Sequence, residues 1–168
     1  MDKTALHRIS YGVYIVATGG GGLRNGQIAN TVFQITAEPP TVAISINKLN
    51  FTHECLEKTG VFSVSVLAED APMTFIGRFG FRCGRDFDKL EGIGTREGVT
   101  GCPVVTDHTS AYLECRIVSR LDCGTHTLFL GELADAGILN DLPVMTYAYY
   151  HLVKKGKSPS RAPTYIGA

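Results

Sequence analysis

Alternation of apolar and polar residues recurs along this chain. In residues 61–67, VFSVSVL, Phe62, Val64 and Val66 fall on one side and Ser63 and Ser65 on the other. That is the two-residue period of a strand. In 41–47, TVAISIN, one face carries Val42, Ile44 and Ile46, and the other Ala43, Ser45 and Asn47. Further β-type runs are YGVYIVAT (11–18), IANTVFQIT (28–36), AYLECRIVS (111–119) and THTLFLGEL (125–133). The loop GGGGLRNGQ after the first run suits a hairpin, and Pro39-Pro40 separates 28–36 from 41–47. Two short helices are predicted. One is THECLEKT (52–59), entered at Thr52 and followed by Gly60. The other is DAPMTFIGRF (70–79), with Asp70 as cap and Pro72 in the first turn. Many short strands with few helices predict a mainly β protein, an antiparallel barrel or sandwich.

A length of 168 residues fits one domain with a sizeable core. Sixteen basic side chains balance sixteen acidic ones. A neutral chain lacks the electrostatic footprint of a nucleic-acid binder or of an anionic membrane surface. No apolar run is long enough to cross a bilayer, and the start, MDKTALHRISYG, lacks the pattern of a secretory signal. The expectation is a cytoplasmic protein. The five cysteines, Cys55, Cys83, Cys102, Cys115 and Cys123, form no C-x-x-C pair. They read as reduced thiols, several packed in core strands, rather than a disulfide framework or a metal site. Domain bounds are expected at 1–153, with 154–168, KKGKSPSRAPTYIGA, as an extended arm or linker stub, ordered against a partner chain.

Candidate chemistry lies where polar residues interrupt the strands. Ser45 and Asn47 share a face, with Lys48 next in line. A polar strand face ordinarily meets solvent, and a ligand is the other reading. Asn30 and Thr31 fall on opposite sides of a regular strand, and reach one ligand only at a bulge or loop. In GFRCGRDFDK (80–89), Arg82, Arg85 and Lys89 surround Gly84. Guanidinium groups beside a glycine suit phosphate, because the glycine lets backbone N–H groups approach. A solvated charged loop is the alternative. The glycine run 19–22 leads into a strand rather than a helix, so it is no dinucleotide fingerprint. P-loop, zinc-protease and nucleophile-elbow motifs are absent.

Taken in order, GQIANTVFQIT, PPTVAISINK, FSVSVL, RCGRDFDKLEGI, AYLECRI and GTHTLFLGEL resemble the flavin reductase-like, FMN-binding split-barrel family. Within it the pattern is most similar to flavoredoxin and to the flavin domain of high-molecular-weight rubredoxins, over nearly the whole chain. The resemblance implies a split β-barrel of Greek-key type with a few short helices, forming a homodimer with FMN near the subunit interface. It implies that Asn30 and Thr31, with Val32 beside them, meet the isoalloxazine edge. Ser45, Ile46, Asn47 and Lys48 would follow the ribityl chain to the phosphate, with Thr52 at the helix start. The loop Arg82, Cys83, Gly84, Arg85 and Asp86 would close over the phosphate. Truncating Lys48 or Arg85 would then weaken FMN more than riboflavin. His126 matches a histidine on the nicotinamide side, although Thr125 stands where the family often has aspartate. The implied activity is hydride transfer from NADH or NADPH to flavin and electrons onward to an acceptor. Two alternatives stay open. One is an electron carrier with tightly held FMN, reduced by a partner such as rubredoxin or ferredoxin. The other is a flavin-free barrel for binding or oligomerisation. Whether the chain stands alone or is one domain of a longer protein is open too, as are the roles of Cys83 and Cys123.

Overall fold

The computed structural model describes residues 1–165. A 3-10 turn, Lys3–Arg8, leads into a hairpin of β1 (Tyr14–Gly20) and β2 (Leu23–Ala29). The chain continues through β3 (Val32–Ala37), β4 (Pro40–Asn47), α1 (Phe51–Thr59), β5 (Val61–Leu67) and α2 (Met73–Gly80). Next come β6 (Thr95–Glu97), β7 (Pro103–Val105), the long strands β8 (Thr109–Asp122) and β9 (His126–Ile138), and α3 (Tyr147–Leu152). Seven strands form one antiparallel sheet in the order β2-β1-β5-β8-β9-β4-β3, and β6 pairs with β7 apart from it. The mainly β expectation therefore holds.

The sheet curls on itself. Val16 of β1, Ile44 and Ile46 of β4, Phe62 and Val64 of β5, Cys115 of β8 and Phe129 of β9 share one core with Leu56 of α1. Strands far apart in the sheet meet in that cluster, which is how a barrel hides its interior residues. Irregularities in β8 opposite β9, at Glu114/Cys115 and Ile117/Ser119, accompany the curl. A second core lies outside, where Ile15 and Ala17 of β1 and Leu67 of β5 pack under Phe75, Ile76 and Phe79 of α2. α1 buries Thr52, Cys55 and Leu56, a stripe at helical spacing.

Several local expectations need correction. The run 28–36 is two strands, not one. β2 pairs with β1 and β3 with β4, at opposite ends of the sheet order, so the chain must cross at Asn30-Thr31. Of GGGGLRNGQ, only Gly21 and Gly22 turn, and Leu23 onward is strand. α1 starts at Phe51 with Asn50 as its cap, and α2 starts at Met73 after Pro72. Asp70 caps nothing and lies 3.4 Å from His108 Nδ1. The serine face of β5 is covered as well as the apolar one: Ser63 and Ser65 are both buried, and Ser63 Oγ donates to the Pro103 carbonyl at 2.6 Å. The strand β7 covers that face. α3 and the β6–β7 pair had no clear signal in the pattern.

Burial pushes the Cys102 and Cys115 thiols up to about 12, so both are neutral packing groups. Cys55 is buried as well, whereas Cys83 and Cys123 are exposed. No helix among the described residues is long and apolar enough to cross a membrane.

Candidate functional site

A cleft of about 280 Å³ opens between β2, the β2–β3 crossing, the end of β4, the start of α1 and the loop after α2. Its lining is mixed, with amides, a hydroxyl and cations set among Phe51, Phe79, Tyr147 and Tyr150. That mixture, and a size near the lower end of small-molecule sites, suit a cofactor with an aromatic part and a charged part.

Seven of the sequence-derived residues line it: Asn30, Ser45, Asn47, Thr52, Arg82, Cys83 and Gly84. The crossing explains how Asn30 reaches the same place as β4. Thr31 turns its carbonyl to the Ser45 N–H at 3.1 Å, so the crossing is stitched to β4. Its hydroxyl donates to Asn30 Oδ1 at 3.2 Å. Asn47 Oδ1 accepts from the Leu49 N–H at 3.0 Å and shapes the turn into α1. The helix cap, Asn50, makes no side-chain cap bond. It donates instead to Gln27 Oε1 at 3.1 Å, while Phe51 and Thr52, which begin the helix, line the cleft. An uncapped helix start is a favourable place for an anion.

Other residues are placed elsewhere. Ile46 is fully buried in the inner core, and Val32 packs against that core. Side chains alternate along a strand, so Ile46 must point away from the cleft that Ser45 and Asn47 line. Lys48 Nζ pairs with Asp122 at 2.6 Å. Arg85 pairs with Glu54 at 2.7 Å, and its guanidinium carbon lies over the Phe51 ring, 4.6 Å from the centroid. Asp86 contributes its backbone N–H to the Cys83 carbonyl at 3.4 Å. These side chains do not line the cleft. His126 lies directly across from Asn47 on the neighbouring strand. Its Nε2 donates to the Arg161 carbonyl at 3.3 Å.

The pattern alone missed part of the lining. Asn25 and Gln27 sit in what reads as a glycine loop but is strand β2. Asn25 Nδ2 donates to Thr52 Oγ1 at 2.8 Å, tying β2 to the helix start. Residues 157–163 also line the cleft. The polar tail lies over its own chain: Asn30 Nδ2 donates to Thr164 Oγ1 at 2.8 Å, and Arg161 donates to the Leu49 carbonyl at 3.0 Å. Tyr150 OH donates to the Lys157 carbonyl at 3.0 Å. Lys89, which the sequence grouped with the loop arginines, is a buried member of the wall. No cluster of three metal-ligating side chains exists among the described residues.

The flavin reductase like domain matches residues 6–155. The chain is 51% identical over 166 residues to the ferric-chelate reductase (NAD(P)H) of Archaeoglobus fulgidus, covering 99% of this chain and 98% of that one. It is 50% identical over 165 residues to the high molecular weight rubredoxin of Moorella thermoacetica, covering 98% of this chain and 72% of the relative. Among solved structures, flavoredoxin from Methanosarcina acetivorans superposes with a TM-score of 0.70 at 25% identity, covering 76% of this chain and 68% of that one. The NADH:FAD oxidoreductase of Streptomyces globisporus superposes with a TM-score of 0.72 at 28% identity, covering 86% and 82%. Curled sheet, mixed cleft and near-complete alignment agree, and the chain belongs to the flavin reductase-like family.

Proposed function

We propose that this chain is an NAD(P)H-dependent flavin reductase whose cleft holds FMN. The observation that carries the reading is the cleft itself. One wall is built from Asn30, Ser45 and Asn47, and an uncapped helix start adjoins Arg82 and Lys89. The residues present fit a flavin mononucleotide. The amides and hydroxyl suit the polar edge of a ring and a polyol, while the helix start and cations suit a phosphate. When bound, flavin supplies the hydride and electron chemistry.

The chain's own residues position and enclose. Asn30 and Ser45, held together through the Thr31 carbonyl, orient the ring edge. The tail over residues 157–163 excludes water from the cleft. His126, beside Asn47, places the nicotinamide. We take residues 1–153 as the folded domain and 154–168 as its arm. A homodimer fits the exposed Phe33 and Ile35 on edge strand β3 and the exposed Val118 and Leu121 on β8.

The test is a visible spectrum of the purified protein, recorded before and after anaerobic addition of NADH and, separately, of NADPH. Flavin bands that bleach support the reductase. Bands that persist until dithionite is added favour the second reading, an electron carrier reduced by a protein partner. The half-identical high molecular weight rubredoxin supports that reading. A protein that stays colourless after FMN is supplied would return the cleft to a flavin-free role.

A second prediction concerns the loop. Gly84 has no room for a methyl group, because a Cβ there would overlap the Asn25 amide. Asn25 is buried and committed to Thr52. Gly84→Ala should therefore break the tie between β2 and α1 and weaken FMN by roughly 3- to 10-fold, the value of one hydrogen bond. Flavin fluorescence titration measures it. An unchanged affinity would show that the tie does not shape the site.

A further inference from the structure

We propose that the arm, over residues 157–165, lies where the nicotinamide donor must sit, so that NADH or NADPH enters by displacing part of this chain. The proposal rests on the reductase reading above and concerns how that site is gated. His126 carries the argument. Its Nε2 donates to the Arg161 carbonyl at 3.3 Å, and its Nδ1 accepts from the Thr125 hydroxyl at 2.9 Å. The Nε2 hydrogen is thus the one that His126 can offer, and the arm already takes it. The carboxamide of a nicotinamide presents the same kind of oxygen as a backbone carbonyl. Donor and arm are therefore rivals for that hydrogen.

Space gives the same answer. With the arm in place the cleft measures about 280 Å³, and Ser158, Pro159, Arg161 and Pro163 form part of its lining. That is near the lower end for a single small ligand. Hydride transfer needs two rings together, with the reacting atoms about 3–3.5 Å apart. The closed cleft has room for one ring system, so the second enters when the arm lifts.

The arm is held in a way that permits this. Its base is fixed. Gly156 is buried, its N–H donates to the Tyr150 carbonyl at 2.9 Å, and its carbonyl accepts from His151 Nδ1 at 2.8 Å. From Lys157 to Tyr165 no residue is buried. Polar bonds hold that stretch. The Tyr147 hydroxyl meets Ser158 Oγ and, at 3.0 Å, Thr164 Oγ1. Asn30 Nδ2 donates to Thr164 Oγ1 at 2.8 Å, and Arg161 donates to the Leu49 carbonyl at 3.0 Å. A segment fixed at one end, with nothing buried beyond, belongs to the part of a fold that opens locally. The donor binds the open fraction alone, so its apparent dissociation constant rises as that fraction falls.

The experiment uses the FMN-loaded full chain and the double variant Ser158→Ala/Thr164→Ala. The variant removes both arm partners of the Tyr147 hydroxyl and leaves His126 in place. Flavin bleaching is followed by stopped flow without oxygen, against NADH and, separately, NADPH concentration. The donor concentration for half-maximal rate should fall by roughly 3- to 10-fold in the variant, the value of one hydrogen bond, with little change in the limiting rate. A second readout needs no turnover. Trypsin cleavage after Lys157 and Arg161 is followed by mass spectrometry in dithionite-reduced protein, with and without a saturating level of the donor that bleaches the flavin. The donor should speed cleavage by roughly 5-fold or more, the lower end of usual coupling between sites. A half-maximal concentration that rises in the variant would make the arm part of the donor site and overturn the proposal. An unchanged one overturns it too, as does cleavage that the donor leaves unchanged or slows. Should the variant not fold, cleavage of the unmodified chain decides. In each of these results the flavin still bleaches, so the reductase reading stands. Flavin that neither donor bleaches, or a chain that binds none, overturns both.

Discussion

Phe62→Ala is expected to lower the folding free energy by about 3–5 kcal/mol, the usual cost of emptying an aromatic site in a core. Phe62 is fully buried in the cluster that includes Ile44, Ile46 and Phe129. Its ring fills the space over Gly131 on β9, where a Cβ would lie 2.6 Å from ring carbon Cε1. The fit is therefore reciprocal: the glycine makes room and the phenylalanine fills it. β4 turns Ile44 and Ile46 to this core and Ser45 and Asn47 to the cleft. A void beneath β4 should thus loosen one wall of the site as well. Urea titration tests it: the midpoint should fall at an unchanged slope, with a parallel loss of flavin affinity in the folded protein. A loss under about 1 kcal/mol would mean that the core closes over the void.

Glu114→Ala should cost about 2–4 kcal/mol without touching the cleft. Glu114 is fully buried on β8. It accepts from the N–H groups of Val99 and Thr100 at 3.3 and 3.1 Å, and from the Thr100 hydroxyl at 2.9 Å. These bonds hold the 98–102 turn, which leads into β7 and so covers β5. Removing the acceptor strands donors worth about 1–3 kcal/mol each, part of which water recovers. Glu114→Gln tests the account, since its amide places an NH2 group against donors. It should recover only part of the loss in a thermal melt. Full recovery would show that the carboxylate acts by filling space. Flavin affinity at temperatures well below the melt should be unchanged in both variants, because Glu114 does not line the cleft.

Much of this architecture is legible in the chain because strand faces follow a two-residue rule. Val42, Ile44 and Ile46 had to share a core, and Ser45 and Asn47 had to face something else. Helix α1 was legible from its entry near Thr52 and from Gly60 after it. What the local pattern does not carry is what lies opposite. The alternation separates Ser63 and Ser65 from Phe62 and Val64 but does not say that another strand covers the serine face. Lys48 and Arg85 read as phosphate ligands by charge and position. Each instead meets a carboxylate distant in sequence, Asp122 and Glu54, which local pattern cannot reveal.

The sequence by itself determined the alternating strands, their turns, the family and the residue types that a flavin site needs, because those depend on local stereochemistry and on residue order. Only the tertiary structure decided that the run 28–36 breaks at Asn30 to join the two ends of the sheet. It alone decided that the tail lies over its own cleft, and that Lys89, unlike the neighbouring Arg82 and Arg85, is buried. The physical reason is common to all three. Burial and pairing are set by which distant segments come together, and the cost or gain of a charge depends on that meeting rather than on its neighbours in the chain.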